Sequence, residues 1–315
     1  MQKDFSIVIP VLNEEESVRE LVQKIKQSFA RIKKTYEIIF VDDGSTDKTL
    51  EVLKLLKRDN REIKIYSFRK NLGKSPALML GFEKASGKYI VTLDGDLQDD
   101  PVNITALHHA LTKGNFDLVT GWRKDRKDGS IKRISSKIFN GLVSILFGTH
   151  LNDLNSGLKI YNAEAAKELK IYGGMHRFIP LILSEMGYKV SEYATVHHER
   201  KYGVSKYKFS KIFTDIPDLV TIYFITKYNR RPLHFFGKIG GVSFLIGLIM
   251  LGYLSILHFE GHRIGNRPLL IFGALFVLAG IQTIFTGLIA DLVVNFQTKG
   301  AEEFPIKYSS EATQG

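Results

Sequence analysis

The sequence contains no cysteine and only one tryptophan among its 315 residues. The lack of cysteine excludes disulfide bonds and fits a reducing compartment. Acidic residues are in the minority, since 44 Lys and Arg outweigh 33 Asp and Glu and give a formal net charge of +11. The sequence also lacks an aromatic and basic nucleic-acid signature, so we expect no nucleic-acid partner. The pairs His108–His109 and His197–His198 have no partners at zinc-ligand spacing, which argues against zinc.

Charged residues are absent from two long apolar segments, Ile239–Leu257 and Leu269–Ala290. Each is close to the ~20 residues that a helix needs to cross the hydrocarbon core of a bilayer. We therefore predict two transmembrane helices, at about 237–258 and 268–294, with a short loop between them. The N-terminal stretch MQKDFSIVIP has no long apolar segment before its first strand, so we expect no cleaved signal peptide.

Basic residues are unevenly distributed around the two predicted spans. More of them flank the hairpin than lie in its loop, so the positive-inside rule predicts that the N-terminal domain faces the cytoplasm, at the inner membrane of a bacterium. Basic side chains next to the membrane each gain ~1 kcal/mol against anionic lipid. The flanking residues are Lys227, Arg230, Arg231, Lys238, Lys299 and Lys307, and those of the loop are Arg263 and Arg267.

Strands and helices alternate through the first hundred residues. FSIVIPV, EIIFVDD, IKIYSF and KYIVTLD are continuous apolar strands with helical patterns between them, and Ser45 or Thr46 is expected to cap the second helix. Such strands predict an α/β, Rossmann-like, mostly parallel sheet with helices on both faces. The predicted divisions are a domain at 1–205, interfacial helices at 206–232, the two spans within 233–298 and a cytoplasmic tail at 299–315. An ordinary terminal helix of the first domain is the alternative for Lys206–Tyr228.

Polar clusters follow the strands at the points where they end. The clusters are Asn13–Glu16, Asp42–Asp47, Arg69–Lys74 and Asp94–Asp100. Open parallel sheets bind their ligands outside the carboxyl ends of the strands. The four clusters together therefore predict one binding site at that edge.

The stretch VTLDGDLQDDP gathers four carboxylates within seven residues of a basic chain. Asp94 and Asp96 are two residues apart and can reach one cation from an extended turn, with Gln98 supplying a neutral oxygen. Mg²⁺ and Mn²⁺ prefer such oxygen ligands and often bind one or two carboxylates together with substrate phosphates. For Asp99 and Asp100 we expect a turn and a helix cap before Pro101.

Four segments, IVIPVLNEEE, IIFVDDGSTD, RKNLGKSPALMLGFEKASG and LDGDLQDDP, occur in an order and spacing that resemble the family 2 glycosyltransferases. The resemblance implies the GT-A fold and a divalent cation, Mg²⁺ or Mn²⁺, held by Asp94, Asp96 and Gln98. This cation would bridge the diphosphate of a nucleotide-sugar and neutralise the charge of the leaving group. The residues implied to contact the nucleotide-sugar are Pro10, Leu12, Glu14, Asp42, Asp43 and Lys74.

The second half of the chain resembles the polyprenyl-phosphate hexose synthases, the dolichol-phosphate mannose synthase group. The segments that carry this resemblance are TGWRKDRKD, IKRISSKIFN, NDLNSGLKIY and HERKYGVSKYKF. It implies cations around the donor and lipid phosphates, for which the planar fork of Arg is suited. A solvated surface residue is the alternative for each single cation. The cations concerned are Arg123, Arg133, Arg200 and Lys206, with Lys132 as a neighbour that can share the role. Ser136 and Ser205 are implied to lie beside the same phosphates.

Asp153 of NDLNSGLKIY matches an Asp that is regular in this group, and it either orients the sugar or acts as a base. We assign it a positioning role, because a polyprenyl phosphate is already an anion near neutral pH and needs no base. Processive family members carry a Gln-x-x-Arg-Trp motif. The only tryptophan here, Trp122, follows Thr120 and Gly121. We therefore expect one sugar per lipid and no polymer synthesis.

The function that follows from these resemblances is an inverting, metal-dependent hexosyl transfer at the cytoplasmic membrane face. The donor is expected to be a UDP-glucose or GDP-mannose type of nucleotide-sugar, and the acceptor undecaprenyl or dolichyl phosphate. The sequence does not identify the sugar, because UDP-linked N-acetylglucosamine and aminoarabinose donors share the same motifs. One alternative is an enzyme of the same fold with a glycolipid or protein acceptor. Another is a membrane-anchored nucleotide-sugar binding protein without turnover.

Glycine recurs on one face of the second predicted span, at Gly273, Gly280 and Gly287. Gly237 and Gly241 form a Gly-x-x-x-Gly at the start of the first. Small residues allow helices to approach closely in membranes. Packing within the hairpin and self-association between chains, giving a homo-oligomer, both explain this pattern.

Overall fold

The structure is a computed structural model that describes residues 3–124, 141, 143–144, 146–148, 151–198, 211–228, 231–265 and 267–298. The chain divides into two compact units, Met1–Ile222 and Tyr223–Gly315. Several residues predicted to contact phosphates lie outside the described residues. They are Lys132, Arg133, Ser136, Arg200, Ser205 and Lys206.

A seven-stranded sheet in the order β3-β2-β1-β4-β6-β5-β7 forms the centre of the first unit. Neighbouring strands are parallel except at β6, which runs antiparallel to both β4 and β5. The predicted mostly parallel α/β sheet is confirmed. The strands are β1 (Lys3–Val11), β2 (Tyr36–Asp42), β3 (Ile63–Ser67), β4 (Gly87–Thr92), β5 (Leu118–Trp122), β6 (Lys159–Asn162) and β7 (Val190–Ala194).

Helices connect these strands and cover the sheet. Val18, Leu21, Ile25 and Phe29 of α1 recur at helical spacing and are buried in the core that also contains Phe5 of β1. Each such side chain contributes about 1.5–3 kcal/mol by leaving water. The helical segments are α1 (Val18–Ile32), α2 (Thr49–Asp59), α3 (Lys74–Lys84), α4 (Asn103–Gly114), α5 (Ala163–Lys167), a 3₁₀ helix (Gly173–Phe178), α6 (Ile179–Glu185) and α7 (Lys211–Tyr228).

The predicted cap of α2 at Ser45 or Thr46 is wrong. Helix α2 begins at Thr49, whose backbone N–H donates to Asp47 Oδ1 at 2.9 Å. Ser45 and Thr46 are instead bound to Asn13, through Asn13 N–H to Ser45 Oγ at 3.0 Å and Thr46 N–H to Asn13 Oδ1 at 2.8 Å. Hydroxyl residues near a strand end suit a cap and a loop contact equally well, and here the neighbouring loop is the partner.

Helix α7 is continuous although it contains Pro217. The lost backbone donor of a proline usually kinks or ends a helix. The missing donor affects the carbonyl one turn before Pro217, while the carbonyl of Pro217 itself accepts the hydroxyl of Thr221 at 2.8 Å. The segment that was expected to form one or two helices has one over its described part.

The second unit contains two long apolar helices, α8 (Pro232–Phe259) and α9 (Pro268–Thr298). Both are long and apolar enough to cross a membrane. Only 17% and 11% of the most apolar 18-residue stretch of each helix is buried. Core helices of soluble proteins are mostly buried, and signal sequences lie near the N-terminus. Large side chains such as Ile249 and Phe285, 71% and 60% exposed, cover the outside of the pair. The two helices therefore indicate a membrane anchor.

Glycines make the contact between α8 and α9. A Cβ on Gly280 would lie 2.6 Å from the Phe244 backbone N and 2.7 Å from the Gly240 carbonyl oxygen. A Cβ on Gly247 would lie 2.7 Å from the carbonyl oxygen of Gly273. The glycine face of the second span is thus used within the hairpin. A Cβ on Gly241, by contrast, would meet no described atom within 4 Å.

We predict that Gly280→Val destabilises the hairpin by about 1–3 kcal/mol, the usual cost of overpacking. The atoms that the new side chain meets belong to the backbone of α8, so the two helices must separate. Thermal unfolding in detergent micelles measures the effect, and Gly241→Val is the matched control in the same membrane anchor. Equal melting temperatures for the two variants would contradict the assignment of the glycine face.

Candidate active site

The four polar clusters that follow the first strands come together at one edge of the sheet. Asn13, after β1, binds the loop after β2 through the two hydrogen bonds described above. Asp43, after β2, accepts hydrogen bonds from the backbone N–H groups of Leu72 at 2.7 Å and Gly73 at 3.0 Å. Lys74 then reaches the cluster after β4. The predicted meeting of the clusters is present as a continuous series of contacts.

Lys74 and Asp94 form an ion pair, with 2.5 Å between Lys74 Nζ and Asp94 Oδ1. Lys74 is the first residue of α3, and Asp94 follows β4 by two positions. About a third of each side chain is exposed, 32% and 35% respectively. Burial raises the pKa of Asp94, but the charge and hydrogen bond of Lys74, helped by Lys159 and His176, outweigh it and hold that pKa below its usual value. Asp94 is therefore an anion at neutral pH.

Gly157 provides the space in which the Asp94 carboxylate lies. A Cβ at Gly157 would be 2.5 Å from Asp94 Oδ2 and 2.6 Å from its carboxyl carbon. The carbonyl of Gly157 accepts a hydrogen bond from Thr92 Oγ1 at 2.9 Å, which fixes the segment against the end of β4. The glycine of NDLNSGLKIY is thus required by close approach rather than by a turn.

We predict that Gly157→Ala lowers the rate of the sugar transfer expected from the sequence by about 10- to 100-fold while the protein stays folded. The added methyl group forces the Asp94 carboxylate to move, and misplacement of a reacting group by ~1 Å can cost about 100-fold. Steady-state kinetics measures the effect. Gly141→Ala is the control, because a Cβ there meets no described atom within 4 Å. Activity within twofold of wild type for Gly157→Ala would contradict this use of the glycine.

A buried lysine, Lys159, and a half-buried histidine, His176, lie close enough to Asp94 to influence its charge. Lys159, in β6, is only 4% exposed and donates to the carbonyl of Ser156. Burial and the charge of Lys74 lower the pKa of Lys159 to about 8, against the attraction of Asp94 and Asp153. Burial and nearby cations lower the pKa of His176 to about 3, so its ring is neutral, and its Nδ1 lies 3.0 Å from Ser75 Oγ.

Lys159 and His176 are not among the site residues predicted from the sequence. Lys159 could have been found, because a charged residue inside the apolar strand LKIY is unusual in a buried sheet. His176 gives no such signal, since only the fold brings its 3₁₀ helix to α3.

Two Asp–His pairs hold the turn that follows Asp96. His197 Nδ1 lies 3.1 Å from Asp99 Oδ1, and His198 Nε2 lies 3.1 Å from Asp100 Oδ2. The backbone N–H of Val102 also donates to Asp100 Oδ1 at 3.0 Å, as expected for a turn before α4. The predicted turn is present, but the predicted helix cap is wrong, because α4 begins at Asn103 without a side-chain cap. The two acidic residues instead join the turn to the segment after β7.

Asp94, Asp96 and Gln98 supply the oxygen donors that a small divalent cation prefers. Asp96 Oδ1 accepts the backbone N–H of Gln98 at 3.2 Å, so the two residues belong to one turn. Among the described residues there is no group of three or more His, Cys, Asp or Glu able to form a complete cage. Mg²⁺ is typically held by one or two carboxylates and substrate phosphates, and this donor set fits such a site.

Arg123 and Asp153 form a bidentate ion pair. Arg123 Nε donates to Asp153 Oδ2 at 2.6 Å and Nη2 donates to Oδ1 at 2.9 Å, with each side chain 10% exposed. The hydrogen bond and charge of Asp153 outweigh burial and raise the pKa of Arg123. Because both carboxylate oxygens are bound to the guanidinium, this arrangement favours a positioning role for Asp153 over a role as a base.

The residues expected to frame a nucleoside lie at the ends of β1 and β2. Pro10, Leu12 and Glu14 are half-buried. Asp42 is 1% exposed and accepts hydrogen bonds from Ser45 N–H at 3.0 Å and Ser67 Oγ at 2.7 Å. Together with Asp43, it holds loops of the site, and direct contact of these residues with a nucleoside stays a prediction.

Comparison with known proteins identifies the fold and the family. Solved structures of glucosyl-3-phosphoglycerate synthase from Mycobacterium tuberculosis superpose on 71% of this chain. One, with Mn²⁺, UDP and glucosyl-3-phosphoglycerate, has a TM-score of 0.56 at 19% identity and is 80% covered. Another, with Mn²⁺, UDP-glucose and phosphoglyceric acid, has a TM-score of 0.55 at 19% identity and is 79% covered. The expected GT-A fold is confirmed.

Curated relatives match almost the whole chain. The dodecaprenyl-phosphate galacturonate synthase of Rhizobium johnstonii is 40% identical over 92% of this chain and 87% of its own length. The undecaprenyl-phosphate 4-deoxy-4-formamido-L-arabinose transferase of Pectobacterium carotovorum subsp. carotovorum is 32% identical over 94% of this chain and 90% of its own length.

These similarities define a glycosyltransferase. The model of the glycosyl transferase family 2 matches residues 6–170, and the chain belongs to this family. The family expected from the four N-terminal segments is therefore confirmed.

Proposed function

We propose that this enzyme transfers a sugar from a UDP-sugar to a polyprenyl phosphate, with inversion at the anomeric carbon. The observation that carries the proposal is the Asp94 carboxylate, held over Gly157 at the carboxyl edge of the sheet with Asp96 two residues further on. Polyprenyl phosphates occur in the names of both relatives, and UDP or UDP-glucose occurs in the structural neighbours.

Asp94, Asp96 and Gln98 would hold Mg²⁺ or Mn²⁺ in this function. The structural neighbours that contain Mn²⁺ together with UDP support a divalent cation. When bound, such a cation neutralises charge that develops on the diphosphate leaving group.

The described residues supply the remaining electrostatics of the reaction. Lys74 lies at the N-terminus of α3. Its ammonium group would contact the diphosphate after its ion pair with Asp94 has broken. The Arg123–Asp153 pair would hold the sugar or the phosphate of the acceptor in place. An oxygen of the polyprenyl phosphate attacks the anomeric carbon, the bond from that carbon to the diphosphate oxygen breaks, and UDP leaves. No proton has to be removed from the acceptor, which is already an anion.

Among the sugars that the sequence leaves open, the relatives favour a charged or modified sugar over glucose or mannose. The more similar of the two relatives described above is a galacturonate synthase, and the other transfers a formamido-arabinose. We therefore propose UDP-galacturonic acid as the first donor to test. The membrane anchor of α8 and α9 would keep the enzyme beside its lipid, with the basic flanks of the hairpin on the cytoplasmic side.

A donor screen with the full-length enzyme in detergent tests this function. The donors are radiolabelled UDP-galacturonic acid, UDP-4-deoxy-4-formamido-L-arabinose, UDP-glucose and GDP-mannose, each with undecaprenyl phosphate and Mn²⁺ or Mg²⁺. We expect UDP release together with label in an acid-labile lipid fraction. UDP release without that lipid product would favour another acceptor. No nucleotide release from any donor would favour a binding protein without turnover.

A further inference from the structure

Glu192, in the edge strand β7, binds the loop that carries Asp153. Its Oε1 accepts the backbone N–H of Asp153 at 2.7 Å. Its Oε2 accepts the backbone N–H of Asn152 at 2.7 Å and the side-chain amide of the same residue at 2.9 Å. One carboxylate thus receives three hydrogen bonds from two consecutive residues. Charge-assisted hydrogen bonds of this length are among the stronger ones in proteins.

The three groups of Asn152 and Asp153 that bind Glu192 are all donors, and this explains why the residue is a glutamate. A glutamine at the same position has one acceptor oxygen and would direct its own N–H₂ group at one or more of the donors. An aspartate is one methylene shorter and would not reach from the same strand position. Glu192 is half-buried and borders a cleft of about 460 Å³ together with Trp122.

The loop that Glu192 binds holds one half of the Arg123–Asp153 pair. Arg123 directly follows β5, whereas Asp153 precedes β6 and has no strand of its own to fix it. Thr120 of β5 lies opposite both Glu192 and Lys159, so these two charged residues flank it on one face of the sheet. Glu192 therefore connects strand β7 to the loop at Asn152 and Asp153, next to the Arg123–Asp153 ion pair.

We propose that Glu192 is a positioning residue that acts through Asp153. It fixes the backbone of Asn152 and Asp153, and this fixes the direction in which Asp153 presents the Arg123 guanidinium to the donor and acceptor. The proposal rests on the function proposed above. Without Glu192 the donor still binds, because Asp94, Asp96 and Lys74 are untouched, but its sugar is less well aligned with the lipid phosphate.

Glu192→Gln in the full-length enzyme tests this role. With UDP-galacturonic acid, or the most active donor of the screen, we expect transfer to fall about tenfold or more. We also expect the number of UDP molecules released per sugar transferred to rise at least threefold, because a misaligned donor reacts with water. This ratio does not depend on the fraction of folded enzyme. In an Asp153→Asn background, Glu192→Gln should lower transfer by less than about twofold further, since residues that act as a unit are not additive.

Glu37→Gln is the matched control. Glu37 is 3% exposed in β2 and accepts hydrogen bonds from Ser6 Oγ at 2.6 Å and Ser86 N–H at 2.7 Å, at the end of the strand away from the site. This variant should lose stability with an unchanged ratio of UDP release to transfer.

Three results would overturn the role of Glu192. One is transfer within twofold of wild type, another is a parallel fall of transfer and UDP release, and the third is an equal loss in the wild-type and Asp153→Asn backgrounds. If Asp153→Asn does not fold, the ratio in Glu192→Gln alone decides. A wild-type enzyme that releases no nucleotide contradicts the proposed function instead, which is a different result from an unchanged ratio in an active enzyme.

Discussion

Asp94→Asn is expected to lower sugar transfer by roughly a thousandfold, equivalent to about 4 kcal/mol of transition-state stabilisation. The amide keeps the shape of the side chain over Gly157 but removes the negative charge that both Lys74 and a divalent cation require. The diphosphate would then leave without its counter-charge. Steady-state transfer to undecaprenyl phosphate measures the loss, and isothermal titration with Mn²⁺ in the presence of UDP should show that metal binding is weakened.

Asp100→Asn is the control for this prediction. Asp100 lies in the same turn, and its carboxylate pairs with His198 rather than with the Lys74 group. It should retain transfer within about threefold of wild type. Retention of a tenth or more of the activity by Asp94→Asn would show that this carboxylate is not required for the chemistry. An equal loss in both variants would point to a general effect on the turn.

Arg123→Met is expected to be the most destabilising of the substitutions considered for the first unit. Removal of one partner of a buried ion pair leaves the other charge uncompensated, which typically costs 3–5 kcal/mol. Both side chains are only 10% exposed, so solvent screens the Asp153 carboxylate little. We expect a loss of about 3 kcal/mol in the free energy of unfolding, measured by urea denaturation of the enzyme in detergent.

The double variant Arg123→Met with Asp153→Leu distinguishes the stability lost with the ion pair from stability that Asp153 contributes through other contacts. Replacement of both partners by apolar residues of similar size is often neutral or stabilising. We therefore expect the double variant to recover most of the lost stability while it stays inactive. A double variant less stable than Arg123→Met alone would show that Asp153 has a structural role independent of the guanidinium.

The sequence predicts the fold well because the first strands are local and regular. FSIVIPV, EIIFVDD and KYIVTLD each bury a continuous apolar run, and a parallel sheet follows from that pattern and the helices between them. The meeting of the polar clusters follows as well, since the carboxyl ends of parallel strands lie at one edge. The two apolar spans are evident from length and composition alone.

The pairings within the site do not follow from such patterns. Arg123 and Asp153 are thirty residues apart, and they meet because β6 inserts between β4 and β5, an order that no local signal encodes. The same insertion places Lys159 near Asp94 and brings Gly157 against its carboxylate. The Asp–His pairs form because the segment after β7 lies against the turn that contains Asp99 and Asp100. Sequence patterns therefore identified the residue types of the site, whereas the strand order decides which residue contacts which.

The Lys74–Asp94 ion pair has a consequence for the order in which a substrate and its cation arrive. A divalent cation at Asp94 would have to displace the Lys74 ammonium group, and this would oppose binding of the metal alone. The displaced ammonium would then be available to a diphosphate, and a diphosphate bound to Lys74 would in turn release the carboxylate. Such coupling is reciprocal, so each ligand raises the affinity for the other. A single lysine would thereby make the loading of metal and donor cooperative, with neither ligand held tightly without the other.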